Sequence, residues 1–163
     1  MPRSRSVAAR LRKAGIRTVE TGGAGGTSWV AVELARAGAN PAAEPFREWG
    51  IPTAASVAFC AEARLATFAG GGLRDGLDLA RALALGASGG AFAAPLLRAQ
   101  QRGGVEAVRA AIRQIADGLR MAMALTGCRR PEELRRVPRV IGPALERWLQ
   151  ASGAGRPRQK ARK

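Results

Sequence analysis

ATFAGGGLRDGLDLARALALGASGGAFAAP, residues 66–95, decides how this chain is read. Ala66-Thr67-Phe68-Ala69 is a short apolar run that stops at Gly70-Gly71-Gly72. From Asp75 onward, Leu77, Leu79, Ala80, Leu83, Ala84 and Leu85 recur at helical spacing. Gly86 stands where a left-handed cap ends a helix. Gly89 to Ala93 reads as a second small-residue strand, closed by Pro95. Two buried strands joined through one short helix make a βαβ unit, so the strands pair in parallel through a right-handed crossover.

A glycine turn at the end of such a strand lets backbone N–H groups approach an oxyanion, and the next helix start adds the positive end of its dipole. Arg74 can supply a charge and a forked donor there. That set suits a phosphate monoester. It suits any tight strand-to-helix turn equally well, so the turn alone leaves both readings open.

Outward from this unit, the pattern repeats toward the N-terminus. A helix over Val7–Ala14 is closed by Gly15, and Ile16 to Glu20 is a short strand. It runs into TGGAGGTSW, residues 21–29, where the hydroxyls of Thr27 and Ser28 can join an anion site or cap the helix from Trp29 to Ala37. Thr53 is placed to cap a helix over 54–64. Beyond Pro95 the pattern is wholly helical: 96–101, a long helix 105–126, a short one near 131–136 and a last one near 143–150. Residues 1–6 and 151–163 read as disordered basic ends flanking a single unit, 7–150. Trp29 and Trp148 read as packing residues, and Met121 and Met123 as core filling.

The chain has 163 residues and a formal net charge of +15. Eleven of its 27 basic residues lie in 1–17 and 156–163, so 18–155 holds sixteen bases against all 12 acids, a net +4. The body is therefore only mildly basic, and the arms read as solvated ends, not as a nucleic-acid surface, since no aromatics interleave with them. With no histidine and two isolated cysteines, zinc sites and imidazole-based triads are excluded. No apolar run reaches the ~20 residues of a membrane span and no signal peptide is visible, so a cytoplasmic protein is expected.

Three strands, each ending in a loop of small residues on one rim, point to an α/β fold of the (β/α) barrel kind. A doubly wound sheet places its glycine signal after the first strand with an acidic residue ~20 further on. Glycine loops after two successive strands favour the barrel rim. Three strands cannot close a barrel of eight, so a partial barrel is expected.

GAGGTSWVAVE (23–33), FREWGIPTA (46–54), AGGGLRDGLDLARALALGAS (69–88), AAPLL (93–97) and DGLRMAMALTGCRRPEEL (117–134) resemble the type 2 isopentenyl diphosphate isomerases, FMN-dependent TIM-barrel enzymes of isoprenoid synthesis. The resemblance covers about residues 7–150 and corresponds to the family's C-terminal half, with the last three strands of its barrel. It implies an FMN site in which Thr27 contacts the flavin, Gly72, Leu73 and Arg74 hold its phosphate, and Ala93 and Ala94 complete that cradle. Gly22 and Gly70 stand where the family has serine, and Glu20 where it has aspartate.

By the same resemblance, the residues that bind substrate and metal lie in the first five strands, which are absent from these 163 residues. The expectation is thus a phosphate anchor without catalytic residues, inactive alone, belonging to an enzyme that in complete form uses FMN, Mg²⁺ and NADPH on isopentenyl diphosphate. Glu20 and Asp75, the carboxylates near the rim, read as structural. A fragment of another FMN barrel oxidoreductase and a non-catalytic basic interaction protein are the competing readings; a catalytic histidine expected of α-hydroxy-acid oxidases is missing. An open sheet leaves edges and an apolar face, so self-association or a complementary half-barrel is the expected partner besides FMN.

Overall fold

The computed structural model describes residues 3–38 and 40–151. In chain order these form α1 (Arg3–Lys13), β1 (Thr18–Gly22), α2 (Trp29–Ala37), α3 (Thr53–Glu62), β2 (Ala66–Gly70), α4 (Gly76–Ala84), β3 (Gly89–Gly90), α5 (Ala94–Leu125) and α6 (Pro143–Ala151). Single 3₁₀ turns lie at Glu44–Phe46 and Pro131–Arg136. The architecture is α/β with one parallel sheet in the order β1-β2-β3.

Most sequence-derived elements fall where their spacing places them, with four informative differences. First, α1 starts at Arg3, inside the stretch 1–6 that reads as disordered. Arg5 accounts for this: its guanidinium carbon lies 5.1 Å from the centre of the Phe59 ring and its Nε lies 2.8 Å from a Glu62 carboxylate oxygen. That N–H is not aligned for a hydrogen bond, so the Glu62 contact is Coulombic. The expected C-terminal disorder falls, from residue 152 on, outside the described residues.

Second, Pro52, not Thr53, occupies the cap position of α3. The Thr53 hydroxyl donates instead to the Gly71 carbonyl. Third, β3 is only two residues long, although Ala91 N–H still donates to Ala69 C=O at 2.8 Å and prolongs its run beside β2. Fourth, the helices expected over 96–101 and 105–126 run together as α5, broken by the non-helical Gly103 and Gly104.

Paired residues of parallel strands point the same way, so Val19, Thr21, Thr67 and Ala69 share one face of the sheet and Thr18, Glu20, Ala66 and Phe68 the other. Helix α3 covers the first face, and the core forms there. Val57, Ala69, Leu73, Ala82 and Ala87 make one cluster, joined by Leu79, Leu85 and Phe92. Ala80, Leu83 and Leu134 make a second, between α4, α5 and the 131–136 turn, joined by Leu119 and Met123. Met123 is thus core filling, whereas Met121 is exposed. Small residues dominate because the helices approach backbone to backbone: a Cβ on Gly76 would collide with Ile115 O and Leu119 N of α5.

Candidate functional site

β1 and β2 end in register, Gly22 beside Gly70, and both glycine loops leave from that rim. The loops lock together. Gly23 N–H donates to Gly70 C=O at 3.1 Å, and Ala24 N–H to Ile51 C=O at 2.8 Å. Gly71 and Gly72 adopt φ of +98° and +94°, and a Cβ on either would run into the carbonyl oxygen of Gly23 or Gly25. A Cβ on Gly26 would stand 2.7 Å from Gly72 N. Much of the glycine content that reads in sequence as an anion cradle is therefore needed for two loops to stack main chain on main chain.

Main-chain donors do remain at this rim. The N–H groups of Gly72 and Leu73 reach no acceptor among the described residues. Leu73 packs in the core, 7% exposed as a residue, so its side chain is not open to a ligand. Gly90 lies beneath that side chain: a Cβ there would be 2.7 Å from Leu73 Cδ2. This brings the end of β3 against the 72–74 turn. Three residues later Ala93 and Ala94, both exposed, open α5 without a side-chain cap and with Pro95 in the first turn. Gly72 and Leu73 thus follow the end of β2, and Ala93 and Ala94 follow the end of its parallel neighbour β3, so both segments leave the same end of the sheet.

Arg74 is placed there too, but its fork is engaged. Nε and Nη2 lie 2.7 Å and 3.1 Å from the two Asp78 carboxylate oxygens, and Arg74 N–H donates to the same carboxylate at 3.3 Å. Arg81 adds a contact at 3.3 Å. The hydrogen bond from the Arg74 side chain is the main cause that holds the Asp78 carboxyl below its ordinary range, against partial burial, and the same bond raises Arg74. Asp78 is the residue sequence reasoning missed, although the i, i+4 spacing to Arg74 was there to be read. Thr21 is a second one: its buried hydroxyl accepts from Gly70 N–H at 3.2 Å and pins the strand end.

Thr27 is exposed and makes no hydrogen bond among the described residues; it follows Gly26, which packs on Gly72. Ser28 caps α2, accepting from Ala31 N–H at 3.1 Å. Asp75 caps α4, accepting from Asp78 N–H at 2.9 Å. Trp29 is 73% exposed and so is not a packing residue in this structure. Among the described residues no three His, Cys, Asp or Glu side chains converge as a metal set would. Nor is any described helix long and apolar enough to cross a membrane.

Residues 51–139, more than half of the chain, match the model of the FMN-dependent dehydrogenases, and the chain belongs to that family. Its curated relatives are more particular. It is 46% identical over 155 residues to the isopentenyl-diphosphate delta-isomerase of Pyrobaculum arsenaticum, covering 92% of this chain and 43% of that protein. With the isopentenyl-diphosphate delta-isomerase of Thermococcus kodakarensis the identity is 45% over 154 residues, covering 90% and 40%. The chain therefore spans well under half the length of these relatives. Among solved structures, a GMP reductase from Trypanosoma brucei superposes with a TM-score of 0.59 at 24% identity, over 87% of this chain and 34% of that one. A mandelate oxidase does so with a TM-score of 0.56 at 25% identity, over 85% and 43%. The first of these likenesses is one of fold alone.

Proposed function

We propose that these residues are the FMN-phosphate-holding part of a type 2 isopentenyl-diphosphate delta-isomerase, built as the last three strands of a (β/α)8 barrel. One observation supports it above the rest: unpartnered N–H groups of Gly72 and Leu73 stand at the same sheet end as the uncapped start of α5 at Ala93 and Ala94. The residues present fit a phosphate. Gly72 and Leu73 would hold it through the main chain, Ala94 through the helix start, and Arg74 through the fork now on Asp78. Thr27 would meet the flavin ring, which supplies the redox and proton-transfer chemistry once bound. An oxidase reading that needs an imidazole base finds no histidine in the chain.

The substrate isopentenyl diphosphate, the Mg²⁺ on its diphosphate and the NADPH that reduces the flavin belong, in this reading, to the share of the relatives' length outside this chain. The setting is cytoplasmic. Titrating FMN by flavin fluorescence quenching tests the phosphate site. A charge-assisted contact contributes about 1.5–3 kcal/mol, so Arg74→Ala is expected to weaken binding roughly tenfold to a hundredfold. Arg113→Ala, on exposed α5, is expected to change nothing. Equal effects of the two would remove the support for this site. Residues 1–163 by themselves are expected to give no isomerase turnover with FMN, NADPH and Mg²⁺; turnover by the purified chain would overturn the division of labour proposed here.

A further inference from the structure

The 72–74 turn presents successive main-chain N–H groups that are not equivalent. Those of Gly72 and Leu73 reach no acceptor among the described residues, whereas that of Arg74 donates to Asp78 Oδ2 at 3.3 Å. The same carboxylate takes the Arg74 guanidinium edge-on, Nε on Oδ2 at 2.7 Å and Nη2 on Oδ1 at 3.1 Å. This grip uses only one edge of the fork. Nη1 and the second N–H of Nη2 meet no acceptor among the described residues, and the Arg74 side chain is 73% exposed. One edge is held and the other is open.

The two partners differ in how firmly they are fixed. Asp78 stands on the first turn of α4, where its own N–H donates to Asp75 at 2.9 Å. Its side chain is only 16% exposed, and buried Gly76, Ala80 and Leu83 anchor the helix that carries it. Arg74 lies outside any helix or strand, and ordering so long a side chain costs rotamer freedom. Arg81 Nη1 lies 3.3 Å from Asp78 Oδ1, so the carboxylate keeps a base of its own when Arg74 also serves a ligand. We infer that Asp78 is the positioning residue of the phosphate site. It holds Arg74 by one edge on the rigid start of α4 and leaves the other edge open to an oxyanion that also takes the Gly72 and Leu73 N–H groups. This rests on the phosphate reading above and adds to it the residue through which Arg74 acts.

The carboxylate has two opposed effects, which makes the test one of sign. As a charge Asp78 repels a phosphate, and as the holder of Arg74 it favours one. FMN and, separately, inorganic phosphate are titrated into the full 163-residue chain and its variants. Asp78→Asn is expected to weaken both roughly three- to tenfold, the order of the cost of immobilising one long side chain, and Asp78→Glu to restore part of the loss. In the Arg74→Ala background the sign reverses: with no guanidinium to hold, Asp78→Asn only removes a negative charge and tightens FMN binding. A merely structural role would weaken binding in both backgrounds. Nitrogen relaxation of the Arg74 Nε–H, measured by NMR without ligand, should show an ordered side chain in the unaltered chain and a mobile one in the Asp78→Asn variant. Circular dichroism restricts the comparison to folded chains, and Asp78→Ser serves where Asp78→Asn does not fold. Unchanged or tighter binding by Asp78→Asn alone, a loss in both backgrounds, or a mobile Nε–H in the unaltered chain overturns the inference and leaves the phosphate site standing. Failure of the unaltered chain to bind FMN or phosphate overturns that site, and this inference with it.

Discussion

Helices α2 and α4 are each nine residues long, each follows a glycine loop at the end of a strand, and each has a side-chain cap, Ser28 and Asp75. Locally they are equivalent. Yet α4 buries Gly76, Ala80, Ala82 and Leu83, while none of the described side chains of α2 is buried and Trp29 and Val32 are exposed. The difference lies in what each meets. α4 lies against α5, β3 and the 131–136 turn; α2 touches little beyond the 44–46 turn. Full burial of one Leu contributes about 1.5–3 kcal/mol, more than a cap, so the partner and not the helix signal decides which of the two is part of the core.

The largest expected effect comes where α4 and α5 cross. Gly76→Ala sets a methyl group against the α5 main chain, and from the other side a Cβ on Gly118 would stand 3.2 Å from Gly76 Cα. A loss of about 3 kcal/mol in urea unfolding is expected, against about 0.5 kcal/mol or less for Trp29→Ala on α2. Comparable losses would mean that α2 is packed in solution.

The caps sharpen the same contrast at smaller scale. Asp75→Ala is expected to cost about 1 kcal/mol of global stability. Ser28→Ala should leave the unfolding midpoint in place and instead speed amide exchange in α2 alone, since that helix opens without unfolding the core. A global shift from the Ser28 variant would tie α2 to the cooperative unit.

The smallest effect is electrostatic. The Asp78 carboxyl is held below its ordinary value of 3.8, chiefly by the Arg74 side chain. A lowered folded value means that the pair's contribution is complete above that ordinary value and fades as pH falls through the lowered one. Arg74 is 73% exposed, so solvent screening keeps that contribution small. The stability gap between the protein and its Asp78→Asn variant should therefore be visible at about pH 6 and shrink toward about pH 3. A gap independent of pH would show that Asp78 acts through something other than its charge.

What the amino-acid order determined by itself is the order and type of the main elements. The periodicity from Leu77 to Leu85 and the glycine after it place α4, and the apolar run at 66–69 places β2, because these signals act between residues a turn or less apart; β1 falls two residues beyond the stretch 16–20 read for it. The parallel sheet follows from the helix between two strands. Two other outcomes needed the folded chain: the stacking of 23–26 on 71–72 and the fork of Arg74 closed on Asp78. A glycine read alone states only that no side chain is wanted. Whether the vacant space receives an anion, a helix or another loop depends on main chain arriving from some fifty residues away, as Gly23 does at Gly70, and no local spacing encodes that arrival.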